Sequence, residues 1–87
     1  MLYRVERSYI TDEHGRYAEQ RERSLHKLES ESAAHAAEEF IRRDNAVILG
    51  EAGELPGDKA TATADCEGRV YVIFVQRDEE ASPSGGN

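Results

Sequence analysis

The side chains in this sequence that could support metal binding or nucleophilic catalysis are three histidines and one cysteine: His14, His26, His35 and Cys66. No two of them have the short C-x-x-C or H-x₃₋₅-H spacing typical of zinc ligands. The acidic residues on both sides of Cys66 oppose thiolate formation. No serine lies in a G-x-S-x-G turn, the setting of an activated hydroxyl. The sequence therefore predicts no enzyme, no catalytic residue, no metal site and no cofactor.

Three glycines between residues 50 and 57 raise the question of phosphate binding. Their spacing matches neither G-x-G-x-x-G nor G-x-x-x-x-G-K-[ST], and the segment lies between predicted strands instead of opening a helix. The acids interspersed among them would repel an anion. We interpret these residues as turn glycines.

Carboxylates are the most informative polar groups, because 18 acids against 11 bases give a net charge of −7. The excess lies after residue 27, and a field of that sign favours basic partners. We predict a partner-binding acidic face that occupies a basic groove on a protein, which includes the case of a nucleic-acid-handling protein. The alternative is a solvated surface that keeps the protein soluble. The predicted face comprises Glu31, Glu38, Glu39, Asp44, Glu51, Glu54 and Asp58.

Basic residues gather instead in the N-terminal part of the chain, around an aromatic ring. Acids at positions 19 and 22 alternate with them, so the local field nearly cancels and we do not expect direct nucleic-acid binding. An accessory module that binds nucleic acid or ribonucleoprotein through this arginine-bearing hairpin is nevertheless the alternative function. The residues concerned are Arg16, Tyr17, Arg21, Arg23 and Lys27.

The elements that must position these groups follow from hydrophobic periodicity. Alternation predicts strands over 2–10, 17–28, 46–49, 59–66 and 70–75, with a helix as the competing interpretation of 17–28. A helix after residue 30 separates the second strand from the third. The prediction is a single α+β domain over 1–77 with the order ββαβββ, an antiparallel sheet with one helix packed on one face. Residues 78–87 are predicted to be a disordered acidic tail rich in Ser, Pro and Gly.

The helix is the best-defined element. Ser30 is the predicted N-cap, with Glu31 in the first turn, and Asn45 is the predicted end. Its core-facing stripe has the spacing i, i+3, i+4, i+7, i+8. Because most of that stripe is alanine, the helix is expected to pack closely on the small residues of strand 59–66. The stripe is Ala33, Ala36, Ala37, Phe40 and Ile41.

The last strand is apolar on both faces, and a single short helix covers only one of them. Leaving three large apolar side chains in water is unfavourable, since burying each is worth about 1.5–3 kcal/mol. We therefore hypothesise that Tyr71, Ile73 and Val75 form a self-association face, which would make the protein a homodimer. A twisted hairpin from the N-terminal strands and a different partner are the other candidates for covering it.

Location follows from what the chain lacks. No basic-then-apolar leader is visible at the start, and the longest apolar run, 70–75, is too short to span a bilayer. A single cysteine excludes an internal disulfide and fits a reducing compartment. We expect a cytoplasmic protein without a membrane partner, in the host cytoplasm if it is encoded by a phage.

Three segments together carry a resemblance in layout: the hairpin YRVERSYITDEHGRY, the helix LESESAAHAAEEF and the final strand RVYVIFVQR. This layout resembles that of several small proteins of phages and mobile elements, including some anti-CRISPR proteins, which are short, acidic, non-enzymatic and cytoplasmic. The helix entry is also similar to that of unrelated small domains, some of them ribosomal. The resemblance implies an inhibitor that blocks its partner by binding, and it assigns no residue a role. With the acidic face, it makes a non-catalytic inhibitor or adaptor the leading prediction.

Overall fold

The computed structural model describes residues 1–12, 14–18 and 22–78. In these residues one helix packs on an antiparallel sheet, so the predicted α+β class is confirmed. The elements are β1 (Leu2–Tyr9), β2 (Arg23–Glu29), α1 (Ala33–Arg43), β3 (Val47–Ile48), β4 (Gly53–Leu55), β5 (Lys59–Cys66) and β6 (Arg69–Arg77).

The strands run in the order β2-β1-β6-β5-β3, and β4 also pairs with β5. β3 and β4 pair with successive parts of β5, since Val47 lies opposite Asp65 and Leu55 opposite Lys59. They therefore form one edge strand that is interrupted in the middle. The other edge of the sheet is β2. The predicted order ββαβββ is confirmed, with its third strand divided into two short pieces.

The hairpin after β1 closes at a bridge between Thr11 and Tyr17. The Asp12 carboxylate accepts hydrogen bonds from the backbone N–H groups of His14 and Arg16 at 2.8 and 2.9 Å, an arrangement typical of an aspartate turn. Gly15 supplies a positive φ of 78°. These bonds hold the tip of the hairpin.

The predicted second strand over 17–28 is present as β2, which begins at Arg23 and ends at Glu29. The competing helix is wrong over that range, because each β2 residue pairs in unbroken register with β1. Leu28 is buried and Leu25 is 54% exposed, so the two leucines lie on opposite faces of the sheet. The part of the prediction that falls on 19–21 lies outside the described residues.

The helix begins two residues later than predicted. Ser32, not Ser30, is its N-cap, and the Ser32 hydroxyl accepts from the N–H of His35 at 3.1 Å. Glu31 therefore precedes the helix and does not lie in its first turn. At the other end Asp44 is the C-cap, and Asn45 follows with a φ of 55°. The predicted stripe is buried except for Phe40, which is partly buried.

The helix covers the sheet over a row of alanines in β5. Ala60, Ala62 and Ala64 are at most 6% exposed and stand beside the large side chains of β6 in the sheet. Since neither the alanines of α1 nor those of β5 extend beyond Cβ, the helix and the centre of the sheet can approach closely. The large core side chains come from β1 and β6, on either side of the pairing between them.

The assignment of faces on β6 is the main correction. Tyr71, Ile73 and Val75, predicted to be a self-association face, are 0%, 1% and 0% exposed and lie under the helix. Their register places them opposite the buried alanines of β5. The side of the sheet away from α1, which we call the open face, carries Val72 and Phe74, and both are only half-buried.

Asp78, the first residue of the predicted tail, packs against the sheet. Asp78 is 7% exposed, its N–H donates to the carbonyl of Leu2 at 3.0 Å, and its carboxylate lies 3.0 Å from Lys27 Nζ. The Asp78 side chain is fully buried while its Lys27 partner is half exposed. Residues 79–87 of that tail lie outside the described residues.

Within the part of the chain that the structure describes, no helix has the length and apolar character needed to cross a membrane.

Candidate functional site

The seven carboxylates of the predicted acidic face differ in their contacts. Three of them form hydrogen bonds or ion pairs with other residues of the chain. Glu39 is the first. It accepts hydrogen bonds from Arg42 and from Arg43 Nε, the latter at 2.8 Å. These bonds, that of Arg43 foremost, lower the pKa of the Glu39 carboxyl group. Glu39 thus pairs with both arginines of the last helical turn.

Asp44 is the second, and it joins the end of the helix to the sheet. Its carboxylate lies 3.2 Å from Arg7 Nη1. The Arg7 guanidinium carbon lies 4.9, 5.8 and 5.4 Å from the ring centroids of Tyr9, Phe40 and Tyr71. A largely desolvated cation enclosed by rings and one carboxylate is held firmly. This arginine cluster is therefore part of the core.

Asp58 is the third, and it connects three separate parts of the chain. Its carboxylate accepts from the hydroxyl of Tyr3, from the N–H of Ala33 at 3.0 Å and from Arg77 Nε at 3.1 Å. These bonds lower the pKa of Asp58, with that of Tyr3 the largest cause. Asp58 thus ties the β4–β5 turn to the start of α1 and to the ends of β1 and β6.

Three of the remaining carboxylates lie together. Glu38, Glu51 and Glu54 line a cleft of about 610 Å³ between α1 and the interrupted edge strand. We call it the acidic cleft. Glu54 faces the helix because it stands opposite the inward-facing Ala60, and Gly50, with φ 87°, turns the chain between β3 and β4. The other lining residues are Ser32, Ala34, His35, Ile48, Gly50 and Ala52.

The acidic cleft combines negative charge with an apolar floor. Among the described residues, none forms an ion pair or hydrogen bond with the carboxylates of Glu38, Glu51 or Glu54. The floor consists of Ala34, Ile48 and Ala52, which pack against the core. A second groove of about 290 Å³ continues from it along α1 and shares Glu38 and Ile48. Apolar contact below and carboxylates at the rim suit the stem and head of an arginine or lysine side chain.

Glu31 is the last of the seven. It is exposed and lies outside the lining of the acidic cleft. The structure thus brings together three of the predicted residues, uses three others internally and leaves one apart.

The basic residues of the alternative function are distributed differently. Arg16 and Tyr17 are exposed at the hairpin and Arg23 is exposed on β2, whereas Lys27 is paired with the buried Asp78. Arg21 lies outside the described residues. Arg69, on the same end of the sheet, stacks 3.9 Å from the Tyr9 ring centroid and pairs with Glu22 at 3.1 Å. Binding of nucleic acid through this hairpin stays a prediction with no observation in its favour.

The histidines and the cysteine fall at separate places in the fold. No group of three or more His, Cys, Asp or Glu side chains is arranged to hold a metal ion in the described ranges. Ser24 Oγ lies 2.9 Å from His26 Nε2, and the His26 ring packs 5.1 Å from that of Phe40. The Cys66 thiol donates to the carbonyl of Asp44 at 3.6 Å, and burial raises its pKa, as expected of a packed, unreactive thiol.

Sequence reasoning missed that Ser32 and His35 line the acidic cleft and that Arg7 anchors Asp44. The position of Arg7 was the available signal, since it shares a strand face with the apolar Tyr3 and Val5. A cation on such a face requires an acid nearby. Comparison of the chain with protein-family models, curated proteins and solved structures finds no match.

Proposed function

We propose that this protein is a non-catalytic binding module whose acidic cleft takes a basic segment of a protein partner. The observation that carries the proposal is the convergence of Glu38, Glu51 and Glu54 on one concave, apolar-floored surface. Acids that are scattered over a surface increase solubility as well as grouped ones do, so solubility alone does not require a cleft. Three acids that share a cleft, and that form no ion pair with a cation among the described residues, raise the local affinity for an arginine or lysine.

The shape of the surface defines the kind of segment that fits. The acidic cleft and the groove that continues from it run along α1 beside β3. The groove offers Ala46 and Ile48 to an apolar side chain, with Arg42 beside Glu38 in its lining, while the cleft offers carboxylates to a basic side chain. The segment we propose therefore alternates basic and apolar residues in an extended conformation.

Binding of this kind can block a partner's contacts or bridge two partners, and neither action requires catalysis. If the bound segment is one that its owner uses to contact nucleic acid, occupancy excludes the nucleic acid and the protein acts as an inhibitor. If the segment is free for other contacts, the protein acts as an adaptor. We place this action in the cytoplasm, because the free thiol of Cys66 fits a reducing compartment.

The proposal is tested with a labelled peptide of alternating arginine and leucine, and with a matched peptide that has glutamate in place of arginine. We expect only the arginine peptide to bind, with amide shifts in heteronuclear NMR spectra at the acidic cleft. The double variant Glu38→Gln with Glu54→Gln should weaken binding about two- to thirtyfold, since an exposed ion pair contributes about 0.2–1 kcal/mol. Binding should also weaken as salt rises.

Glu67→Gln is the matched control, because Glu67 is an exposed acid in the β5–β6 turn, far from the cleft in the fold. It should leave the affinity unchanged. Equal affinity for the glutamate peptide, or shifts confined to the open face, would show that the acidic cleft is not the binding surface.

A further inference from the structure

The two edges of the sheet differ in their ability to accept another strand. The β3–β4 edge is short and interrupted, with glycines at 50 and 53. The β2 edge is regular over seven residues and contains neither glycine nor proline. A long, regular, unpaired edge is a template for a further strand.

The pairing of β2 with β1 shows which backbone groups of β2 are available. The backbone N–H of Tyr9 donates to the carbonyl oxygen of Glu22, and that of Ser30 donates to the carbonyl oxygen of Met1, both at 3.0 Å. Because hydrogen-bonded pairs alternate in an antiparallel ladder, the even-numbered residues of β2 point their backbone groups at β1. The odd-numbered residues point theirs outward, away from the sheet. These outward residues are Arg23, Leu25, Lys27 and Glu29.

The charges along β2 are complementary to those of a second, antiparallel β2 strand. Arg23 begins the strand and Glu29 ends it, so two antiparallel copies in full overlap place each Arg23 opposite Glu29 of the second copy. The Glu29 carboxylate lies 3.3 Å from the N-terminal amine of its own chain, but it stays 76% exposed and can also face a cation of the second copy. All four outward N–H and all four outward C=O groups of each strand are then paired. Shifting the strands by two residues in one direction sets Arg23 against Lys27, and in the other sets Lys27 against itself. Only full overlap satisfies both the backbone and the charges.

We propose that β2 is the interface of a symmetric dimer, in which two copies join their sheets through antiparallel β2 strands with Arg23 opposite Glu29. Leu25, 54% exposed in the single chain, then lies beside the aliphatic stem of Lys27 of the second copy. The two helices lie on the same side of the continuous sheet, and the two open faces lie together on the other.

The lysine within β2 does not block this pairing. A lysine on an edge strand commonly prevents further strands from adding. Here the Lys27 ammonium group turns along the open face to the buried carboxylate of Asp78, 3.0 Å away. Its charge is therefore held within its own sheet.

The residue on the two-fold axis is also compatible with pairing at neutral pH. His26 would lie opposite His26 of the second copy. Burial, and secondly the charge of Arg7, lower the pKa of His26 against the opposing influence of Asp44. The imidazole is thus neutral at pH 7 and brings no like-charge repulsion to the axis.

The pairing of Arg23 with Glu29 allows a charge-exchange experiment, read by sedimentation equilibrium. Wild type should be dimeric at high micromolar concentration. Arg23→Glu alone, or Glu29→Arg alone, should raise the dissociation constant about tenfold or more, because two attractive pairs become repulsive. Mixing the two single variants should restore association as a heterodimer, and combining both changes in one chain should restore the homodimer.

Glu31→Arg is the matched control, since it reverses a nearby exposed charge that lies outside β2; it should leave the dimer intact. Leu25→Pro is the second variant. Its N–H points outward, so the substitution removes no bond of the single sheet and should abolish the dimer while circular dichroism is unchanged. A wild type that is monomeric at high micromolar concentration, or single variants that fail to associate when mixed, would overturn the proposal.

Discussion

Asp58 shows how a residue with the right chemistry for a surface site can instead serve the fold. Its φ of 58° lies in the left-handed region, which aspartate tolerates better than most residues. That backbone conformation turns its carboxylate towards Tyr3, Ala33 and Arg77. The sequence presents Asp58 as one acid of an acidic loop, and only its contacts show that it joins distant elements.

We predict that Asp58→Asn is less stable than wild type at pH 7 and that the difference narrows in acid. The pKa of Asp58 is lowered in the folded state, so its stabilising contribution is fully present above the ordinary value of 3.8. That contribution is lost as pH falls through the lower, folded-state pKa. Asparagine retains the left-handed backbone, which isolates the effect of charge. Urea unfolding of both proteins at pH 7, 5 and 3 measures the difference.

Glu67→Gln again provides the comparison, because Glu67 is an exposed acid that makes no contact with the Asp58 network. Its effect on the free energy of unfolding should be small at every pH. A gap between wild type and Asp58→Asn that stays constant down to pH 3 would contradict the role given to the Asp58 carboxylate.

At the scale of elements, β6 shows why an apolar strand does not reveal its own orientation. Both of its faces are apolar, so periodicity alone cannot indicate which one the helix covers. The register decides it, because Tyr71, Ile73 and Val75 stand beside the alanines of β5. Large residues in β6 and small ones in β5 together complete a surface on which α1 fits. The large residues of β6 and the small residues of β5 can be read from the sequence, but the register that pairs them cannot.

Valine-to-alanine substitutions on the two faces of β6 allow the contribution of each face to stability to be compared. We predict that Val75→Ala lowers the free energy of unfolding by about 2–3 kcal/mol, since it removes two buried methyl groups at about 0.8 kcal/mol each and leaves a cavity. Val72→Ala should cost about half as much or less, because Val72 is only half-buried on the open face. Equal losses in chemical denaturation at low protein concentration would contradict the assignment of faces.

Most elements could be predicted because local patterns determine them. The alternation of residues 59–66 gave β5 with its observed bounds, and the alanine stripe gave the buried side of α1. The start of α1 was placed two residues early because Ser30 and Ser32 are both suitable caps, and only the bond to His35 distinguishes them. The acidic cleft could not be predicted as a cleft, since which acids are neutralised depends on contacts such as Arg7 with Asp44, 37 residues apart.

At the scale of the whole molecule, the two proposed binding surfaces lie at opposite edges of the sheet. The acidic cleft lies beside β3 and β4, and the proposed dimer interface is β2, at the other edge of the sheet. β1, β6 and β5 separate them, and no lining residue of the cleft belongs to β2. The two surfaces should therefore act independently.

This separation gives a reciprocal prediction. Glu38→Gln with Glu54→Gln should weaken the arginine peptide without changing the dissociation constant of the dimer. Arg23→Glu should weaken the dimer without changing the affinity per cleft for the peptide. Sedimentation and peptide titration on both proteins measure the four quantities, and a cross-effect larger than about twofold, or about 0.4 kcal/mol, would contradict independence.

The interrupted β3–β4 edge also limits how far such an assembly can grow. Once two β2 strands have paired, the outermost strands on both sides are the short, broken pieces. Neither offers the unbroken run of backbone groups that a further sheet would require. In the proposed dimer we therefore expect edge addition to stop at two copies, with Gly50, which lines the acidic cleft, also interrupting the outer edge.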